Sequence, residues 1–414
     1  MSDARDRRPD VPDPESAAPL PVPTEPIVRS DAGVAASEPL RPRAPRYALV
    51  LSALLPGSGH MAMGEPFRGL LLLLPWGALL GIMYWARARV FDWQGASLDE
   101  YVAFVTVVAL LLFLWASGLW DLSVGRRRTV DAGDSQWAIA ARHFRRNRPA
   151  LVGLGIIFVL YLVALLAPYL APYDPIAQQD IARTSFRPPS SEFLLGTDKF
   201  GRDILSRILY GARISLSIGF IATAISITIG TLIGAIAGYA GGKVDSALMR
   251  FTDMVLAFPR LVLLIMIVAL FSPSMTVIIL VLGLTQWPGT TRIVRGDVLS
   301  LREREFIQAA HALGMTGSRI VMRHLIPNVL APVIVTATLG IGNTIVLEAG
   351  LSFLGMGVQP PTPTWGSMVA DGRDNLLGAW WVATFPGLTI VLVVLAFNLV
   401  GDGLRDALDP RLRT

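Results

Sequence analysis

The chain predicts an all-α polytopic membrane protein, and three observations carry that expectation. Of its 414 residues, 53% are hydrophobic and only 16% charged, where a soluble domain carries about 25% charged residues. Several apolar runs approach the ~20 residues with which a helix crosses a bilayer. None of these runs alternates polar with apolar residues, as the strands of a membrane β-barrel do. The chain has no cysteine, which excludes disulfides, cysteine-ligated zinc and thiol catalysis. Its net charge of +5 does not point to nucleic acid, because the basic residues of a membrane protein gather in its cytoplasmic loops. The expected surroundings are membrane lipid, with no nucleic-acid partner.

Residues 1–46 are rich in Pro, Ala and charge and hold no apolar run. They read as a disordered cytoplasmic tail without the apolar core of a cleaved signal peptide. Residues 47–122 read as an accessory membrane module of two or three segments. Tyr47–Met63 is apolar but interrupted by Pro56-Gly57-Ser58-Gly59, so it either dips into the membrane or spans it. Phe67–Trp85 and Tyr101–Trp120 are long enough to span. Gly77, Gly81 and Gly118 are the small residues through which this module would pack on the rest of the chain. Residues 123–148 carry Arg126, Arg127, Arg128, Arg142, Arg145, Arg146 and Arg148. That excess of arginine makes the segment a cytoplasmic linker, with a polybasic lipid contact as the alternative use of the same charges.

The core occupies 149–414, with spans expected near Ala150–Leu170, Ile204–Tyr239, Phe251–Phe271, Met275–Thr290, Asn328–Leu347 and Ala383–Val400. Six crossings place both ends of the core on one side. The loop 292–323 holds Arg292, Arg295, Arg302, Arg304, Arg319 and Arg323, whereas 351–380 holds only Arg373. The first is therefore expected in the cytoplasm with both termini, and the second outside.

A short helix lies in that arginine-rich loop. Ser300 is a candidate N-cap, with Glu303 completing a capping box. Phe306, Ala309, Ala310 and Leu313 then share a face, and Gly314 supplies the stop of a helix over 303–314. A small-residue helix presented to water suits docking into a groove of a soluble partner. The alternative is an ordinary amphipathic connector between spans.

The spacing of Gln308-Ala309-Ala310, Gly314 and Ile326-Pro327 resembles the "EAA" loop of ABC importer permeases, with Gln308 where the family has Glu. Leu195-Gly196-Thr197-Asp198-Lys199-Phe200-Gly201-Arg202-Asp203, followed by Ser206-Arg207 and Tyr210-Gly211-Ala212-Arg213, is similar to the LGTDxxGRDxxSRxxYGAR signature of the dipeptide/oligopeptide/nickel permeases. Gly238–Asp245 running on to Pro259, Leu351–Gly355 with Pro360, Pro361, Pro363 and Trp365-Gly366, and Asn398–Pro410 continue the resemblance in order over Trp137–Thr414. Leu55–Gly64 with Arg68-Gly69 resembles the small two-helix "TM2-like" modules, which imply no defined chemistry.

The main resemblance is to the second, C-type permease of its family. It implies a six-span type I ABC importer permease core in a bacterial cytoplasmic (inner) membrane. It also implies four kinds of surroundings: a homologous permease subunit, two cytoplasmic ABC ATPase subunits, an extracytoplasmic solute-binding protein and lipid. ATP and magnesium would be bound by the ATPases, with no cofactor in this chain and no catalytic residue of its own. Glu305, Gln308, Ala309, Ala310, Gly314 and Pro327 would couple to the ATPases. Gly196, Thr197, Asp198, Gly201, Arg202 and Asp203 would form the signature loop. The cargo would be peptides or related small solutes, nickel chelates among them.

The residues themselves add limits. Thr197 or Asp198 is suited to cap a helix start, and Gly201 to permit a turn. Gly230, Gly234 and Gly238 make a smooth helix face, for packing within the subunit or across a pair. Asp253, Asn343, Glu348 and Asn398 are polar groups in or near spans, where they line a translocation path or satisfy helix ends. Lys243 follows two glycines, but no Ser or Thr comes next, so no P-loop is present. His60, His143, His311 and His324 are scattered, and no metal site is expected. An ion-gradient secondary transporter would show two matching halves with broken helices, and a membrane-embedded enzyme a Ser/His or HExxH constellation. The chain displays neither.

Overall fold

The fold was described from a computed structural model covering residues 45–85, 98–123, 136–178, 180–271 and 273–408. Residues 1–44 of the expected tail and the arginine triplet of the linker lie outside these residues. Among the described residues, seven helices are long and apolar enough to cross a membrane, and a bent helix pair is long and apolar enough to make an eighth crossing if its two halves are taken as one span.

The accessory module begins with α1 (Arg46–Leu54) and α2 (Ser58–Ala62). Pro56 and a left-handed Gly57 (φ 87°) break them apart, so neither crosses and the stretch 47–63 does not span. Two spans follow, α3 (Pro66–Trp85) and α4 (Leu98–Ser123). The Trp115 indole of α4 donates to the Ala53 carbonyl at 2.9 Å, and His60 meets Asp121 at 3.2 Å, which ties the broken hairpin to the second span.

The core starts with α5 (Gln136–Phe144), α6 (Arg148–Leu165), the short α7 (Ala167–Leu170) and α8 (Ile181–Thr184). Asn147 caps α6 by accepting from the Ala150 amide at 3.1 Å. The module docks here. Leu79, Ala103 and Val107 are buried in one cluster with Leu166 and Tyr169, and the Tyr169 hydroxyl donates to the Glu100 carbonyl at 2.7 Å. The expected glycine contacts are not the joint. Gly77 and Gly81 face open space and Gly118 meets only the Leu72 side chain. Leu79, Val107, Leu166 and Tyr169, with a part-buried hydrogen bond, supply more apolar area at this seam than a smooth face would.

The remaining spans are α9 (Ile204–Ala240), α10 (Gly242–Ala257) with α11 (Arg260–Leu270), α12 (Met275–Arg302), α15 (Ile326–Phe353) and α17 (Trp381–Leu408). Between α12 and α15 lie α13 (Glu305–Ala312) and α14 (Gly317–Ile320), the latter running through a π turn at Val321–Leu325 into α15. The short α16 (Trp365–Gly372) precedes α17.

The expected continuous span Phe251–Phe271 is a correction. α10 and α11 meet at an 85° bend, because Pro259 lacks an amide proton and holds Phe258 extended (φ −82°, ψ 132°). The pair nevertheless reaches from one end of α12 to the other. Asp245 of α10 clasps Arg295 near the C-terminal end of α12 at 2.5 and 2.6 Å. Leu264 and Val268 of α11 are buried with Ile278, Val281 and Leu282 at the other end of α12. Counted as one span, the pair brings the core to the six expected crossings.

α9 and α12 form the central pair. Their backbones approach along Gly230, Gly234 and Gly238, opposite Thr290, Thr291 and Val298, and the Thr291 hydroxyl donates to the Gly230 carbonyl at 3.2 Å. The glycine face therefore packs within the subunit. α12 runs well past its apolar stretch, to Arg302, despite Gly296 within it: Val294 and Val298 are buried there, and tertiary packing overrides the weak intrinsic propensity.

Candidate functional sites

α13 projects from the arginine-rich end of the core. The expected capping box is absent: Ser300 lies inside α12, Glu303 is its C-cap, and Arg304 stands at the N-cap of α13 without a side-chain hydrogen bond. Packing of Val294 and Val298 in the buried cluster carries α12 through Ser300, so the N-cap falls four residues later. Gln308 instead donates to the Glu303 carbonyl at 3.2 Å. The expected stop is where the sequence put it, with Gly314 left-handed at φ 75°.

The expected shared face divides in two. Ile307 and Ala310 are buried with Ala235, Val294, Val298, Ile320 and Leu325, which roots α13 on the ends of three spans. Phe306 is 44% and Leu313 82% exposed, and Ala309 between them is also exposed. These three are spaced i, i+3, i+7 and form one stripe. Glu305 is exposed in the first turn, where its charge suits the helix dipole. Pro327 is exposed in the first turn of α15. Of the expected coupling residues, Ala310 alone is a root, and the others face outward.

The signature loop lies at the opposite end of the core. Asp203, rather than Thr197 or Asp198, caps α9, accepting from the Ser206 amide and hydroxyl at 2.7 Å each. Burial pushes the Asp203 carboxyl above the ordinary carboxylate range, against the pull of those hydrogen bonds. Thr197 is buried, donates to the Thr184 carbonyl and accepts from the Arg187 amide. Gly196 and Gly201 are left-handed, at φ 78° and 70°, which is what the two tight turns of the loop require.

Asp198 organises the loop. It accepts from the Phe200 and Arg202 amides at 2.9 and 3.0 Å and from Arg202 Nε at 2.7 Å. Arg207 Nε is 3.6 Å from the same carboxylate, and Asp371 of α16 receives Lys199 at 2.9 Å, Arg202 at 3.5 Å and Arg207 at 3.7 Å. The network binds the loop to α16. The Trp381 indole donates to the Thr197 carbonyl at 3.2 Å, and the Trp365 indole to the Ile208 carbonyl at 3.1 Å. Loop, α9, α16 and the start of α17 are thereby one block. Arg207 and Asp371 were not among the expected site residues; Arg207 stood inside the signature, while Asp371 had no local signal.

The polar residues of the spans separate. Asp253 is exposed and paired with Arg292 at 2.5 Å, which staples α10 to α12. Glu348 is 1% exposed, and its Oε1 accepts from Ser352 at 2.7 Å, so it sits inside the subunit. Asn343 and Asn398 are exposed on α15 and α17. Sequence reasoning missed one junction: the Thr344 hydroxyl donates to Gln286 at 3.1 Å and lies 3.0 Å from that of Thr223, joining α15, α12 and α9 midway along their lengths. Thr and Gln are too common in spans for this to be read from one sequence.

Comparison with known proteins gives two family matches. Residues 230–414 match the family described as "Binding-protein-dependent transport system inner membrane component", and residues 135–189 match "N-terminal TM domain of oligopeptide transport permease C". The dipeptide transport system permease protein DppC of Alkalihalophilus pseudofirmus is 46% identical over 280 residues, 68% of this chain and 91% of that protein. The di/tripeptide transport system permease protein DppC of Pseudomonas aeruginosa is 44% identical over 277 residues, 65% and 90% of the two chains. The oligopeptide transport system permease protein OppC of Haemophilus influenzae is 40% identical over 282 residues, 68% and 90%. An inward-facing structure of the MetNI methionine ABC transporter aligns over 50% of this chain and 98% of its own at 18% identity, with a TM-score of 0.42.

Proposed function

This chain belongs to the family of binding-protein-dependent ABC transport permeases, among its dipeptide and oligopeptide members, and from that premise we propose how it works. It is a multi-pass inner-membrane permease subunit, and its family works with an ATPase and a substrate-binding partner. In our reading it pairs with a homologous permease, one of two ATPases docks on α13, and a solute-binding protein meets the opposite end near the signature loop and α16. ATP and magnesium reside on the ATPases. The arginine-rich loop 292–323 and both termini lie in the cytoplasm, as the excess of arginine supports.

One observation carries the coupling role. α13 is rooted by Ile307 and Ala310 while Phe306, Ala309 and Leu313 stand exposed on its other side. An apolar stripe held out from a rigid root is the helix-in-groove mode of recognition. Closure of the ATPases moves the groove, the root passes the motion to α9, α12 and α15, and the spans reorient around a path between the paired subunits. Asn343 and Asn398, exposed on their spans, are the residues we assign to that path, and Glu348 to the subunit interior. The cargo class is peptides or related small solutes, on the strength of the relatives' names.

The test is co-purification from native membranes through a tag on this chain. The ATPases are expected in fixed ratio with it, and Leu313→Arg or Ala309→Arg is expected to release them while the chain stays in the membrane. ATPases that stay attached to both variants would remove α13 as the dock.

A further inference from the structure

A docking helix transmits motion only as well as it is fixed to the spans, and the apolar root of α13 is small: one isoleucine and one alanine. A second attachment is aromatic. His311 continues the Ile307–Ala310 stripe at i+4. Its imidazole lies over the Tyr239 ring with planes 4° apart and centroids 6.0 Å apart, within the range of offset stacking. Tyr239 is the penultimate residue of α9.

The other edge of the same ring occupies the space over Gly317, the first residue of α14. A Cβ there would fall 2.8 Å from Tyr239 Cε1 and 2.9 Å from its hydroxyl. Tyr239 therefore fills the elbow between the last turn of α13 and the first of α14, on the inside of the turn made at Gly314. Its backbone is fastened as well. The Arg302 guanidinium donates to the Gly238 and Tyr239 carbonyls at 3.4 and 3.5 Å, which joins the end of α9 to the end of α12.

We propose that Tyr239 is the positioning residue through which α9 follows the docking helix: its ring, wedged between His311 and Gly317, fixes α13 against rolling on its apolar root. The proposal rests on α13 being the ATPase dock. Rolling is the motion that matters, because a groove grips the outer stripe while the root is on the opposite side. Ile307 and Ala310 resist separation from the spans but offer little against rotation, since dispersion contacts are non-directional. A flat ring stacked on His311 with its edge against Gly317 resists it.

The experiment uses the assembled transporter in proteoliposomes, with partner permease, ATPases and binding protein, and reads uptake per ATP hydrolysed. Tyr239→Phe keeps the ring and is expected to match the wild type. Tyr239→Leu keeps apolar volume and loses the plane. Its uptake per ATP is expected to fall roughly three- to ten-fold, the scale of one stacked aromatic pair, with the ATPases still attached. Gly317→Val drives a side chain into the ring and is expected to do the same.

If Tyr239→Leu also lowers abundance, spin labels decide. The chain has no cysteine, so labels on cysteines introduced at Gln308 and Leu232 report only the α13–α9 distance. A broadened distribution in the Leu variant and a narrow one in Phe support the wedge. An unchanged distribution, or Tyr239→Leu at full coupling, overturns it. Ala309→Arg separates this from the dock itself: loss of the ATPases in that variant beside a neutral Tyr239→Leu would remove the wedge alone.

Discussion

Replacing Gly234 tests the central packing of the core. An ideal Cβ on Gly234 falls 2.7 Å from the Thr291 carbonyl oxygen, 2.9 Å from Val294 Cβ and 3.1 Å from the Arg295 amide, where ordinary contact begins at 3.4 Å. Two of those neighbours are backbone and cannot rotate away, so α9 and α12 must part by about 0.7 Å. A gap of that size forfeits about a quarter to a half of each dispersion well along the seam, and overpacking of this kind costs about 1–3 kcal/mol. Gly234→Ala should lower the thermal midpoint of the detergent-purified protein, and Gly234→Leu more so. Gly155 supplies the control. It is a helical glycine on α6 with nothing within 4 Å of its Cβ position, so Gly155→Ala should be neutral or stabilising by up to ~1 kcal/mol. The assay is size-exclusion recovery after heating. Equal midpoints for Gly234→Leu and Gly155→Leu would refute the close α9–α12 packing.

Other expectations follow from the same geometry. Asp198→Ala leaves Arg202 and Arg207, both under 5% exposed, with only the longer carboxylate contacts, to Asp371 at 3.5 and 3.7 Å; breaking a buried ion pair costs up to about 3–5 kcal/mol, seen as loss of folded protein, with Asp198→Asn milder. Gly314→Val forces a β-branched residue to φ 75° at about 1–2 kcal/mol, and should lower uptake per ATP at near-normal abundance, because the site has open space around it. Deleting residues 1–136 uncovers Leu166 and Tyr169, now 1% and 2% exposed, so abundance should fall while transport per assembled complex persists; a collapse of that specific transport at normal abundance would make the module part of the mechanism. A cysteine at position 311 should react with impermeant maleimide in inverted vesicles and not in intact cells; the reverse would invert the topology.

Much of this was legible in the sequence because hydrophobic length and glycine spacing are local. The spans, the left-handed stop at Gly314, the turns at Gly196 and Gly201 and the broken hairpin at Pro56-Gly57 all follow from residues within a few positions of each other. Boundaries were not legible where helix and membrane part company: α12 continues past its apolar stretch, and Ser300 therefore sits inside it. The bend at Pro259 carried a local signal, a proline inside an apolar run, that hydropathy alone averaged away. The cap of α9 went to Asp203 because Asp198 was already committed to Arg202 and to the Phe200 amide, a competition that only tertiary structure decides. Asp371 and Gln286 meet their partners from distant parts of the chain, and neither carries a mark of its own. The split of α13 into a root and an outer stripe likewise depends on which spans lie beneath it.

The most direct measurement is uptake into proteoliposomes containing the four-part transporter, with solute delivered by its binding protein. Uptake is expected to require internal ATP on the cytoplasmic face and the ATPase subunits, to be indifferent to proton and sodium gradients, and to stop with Ala309→Arg in this chain. Uptake that persists without the ATPases and follows an ion gradient would contradict the account.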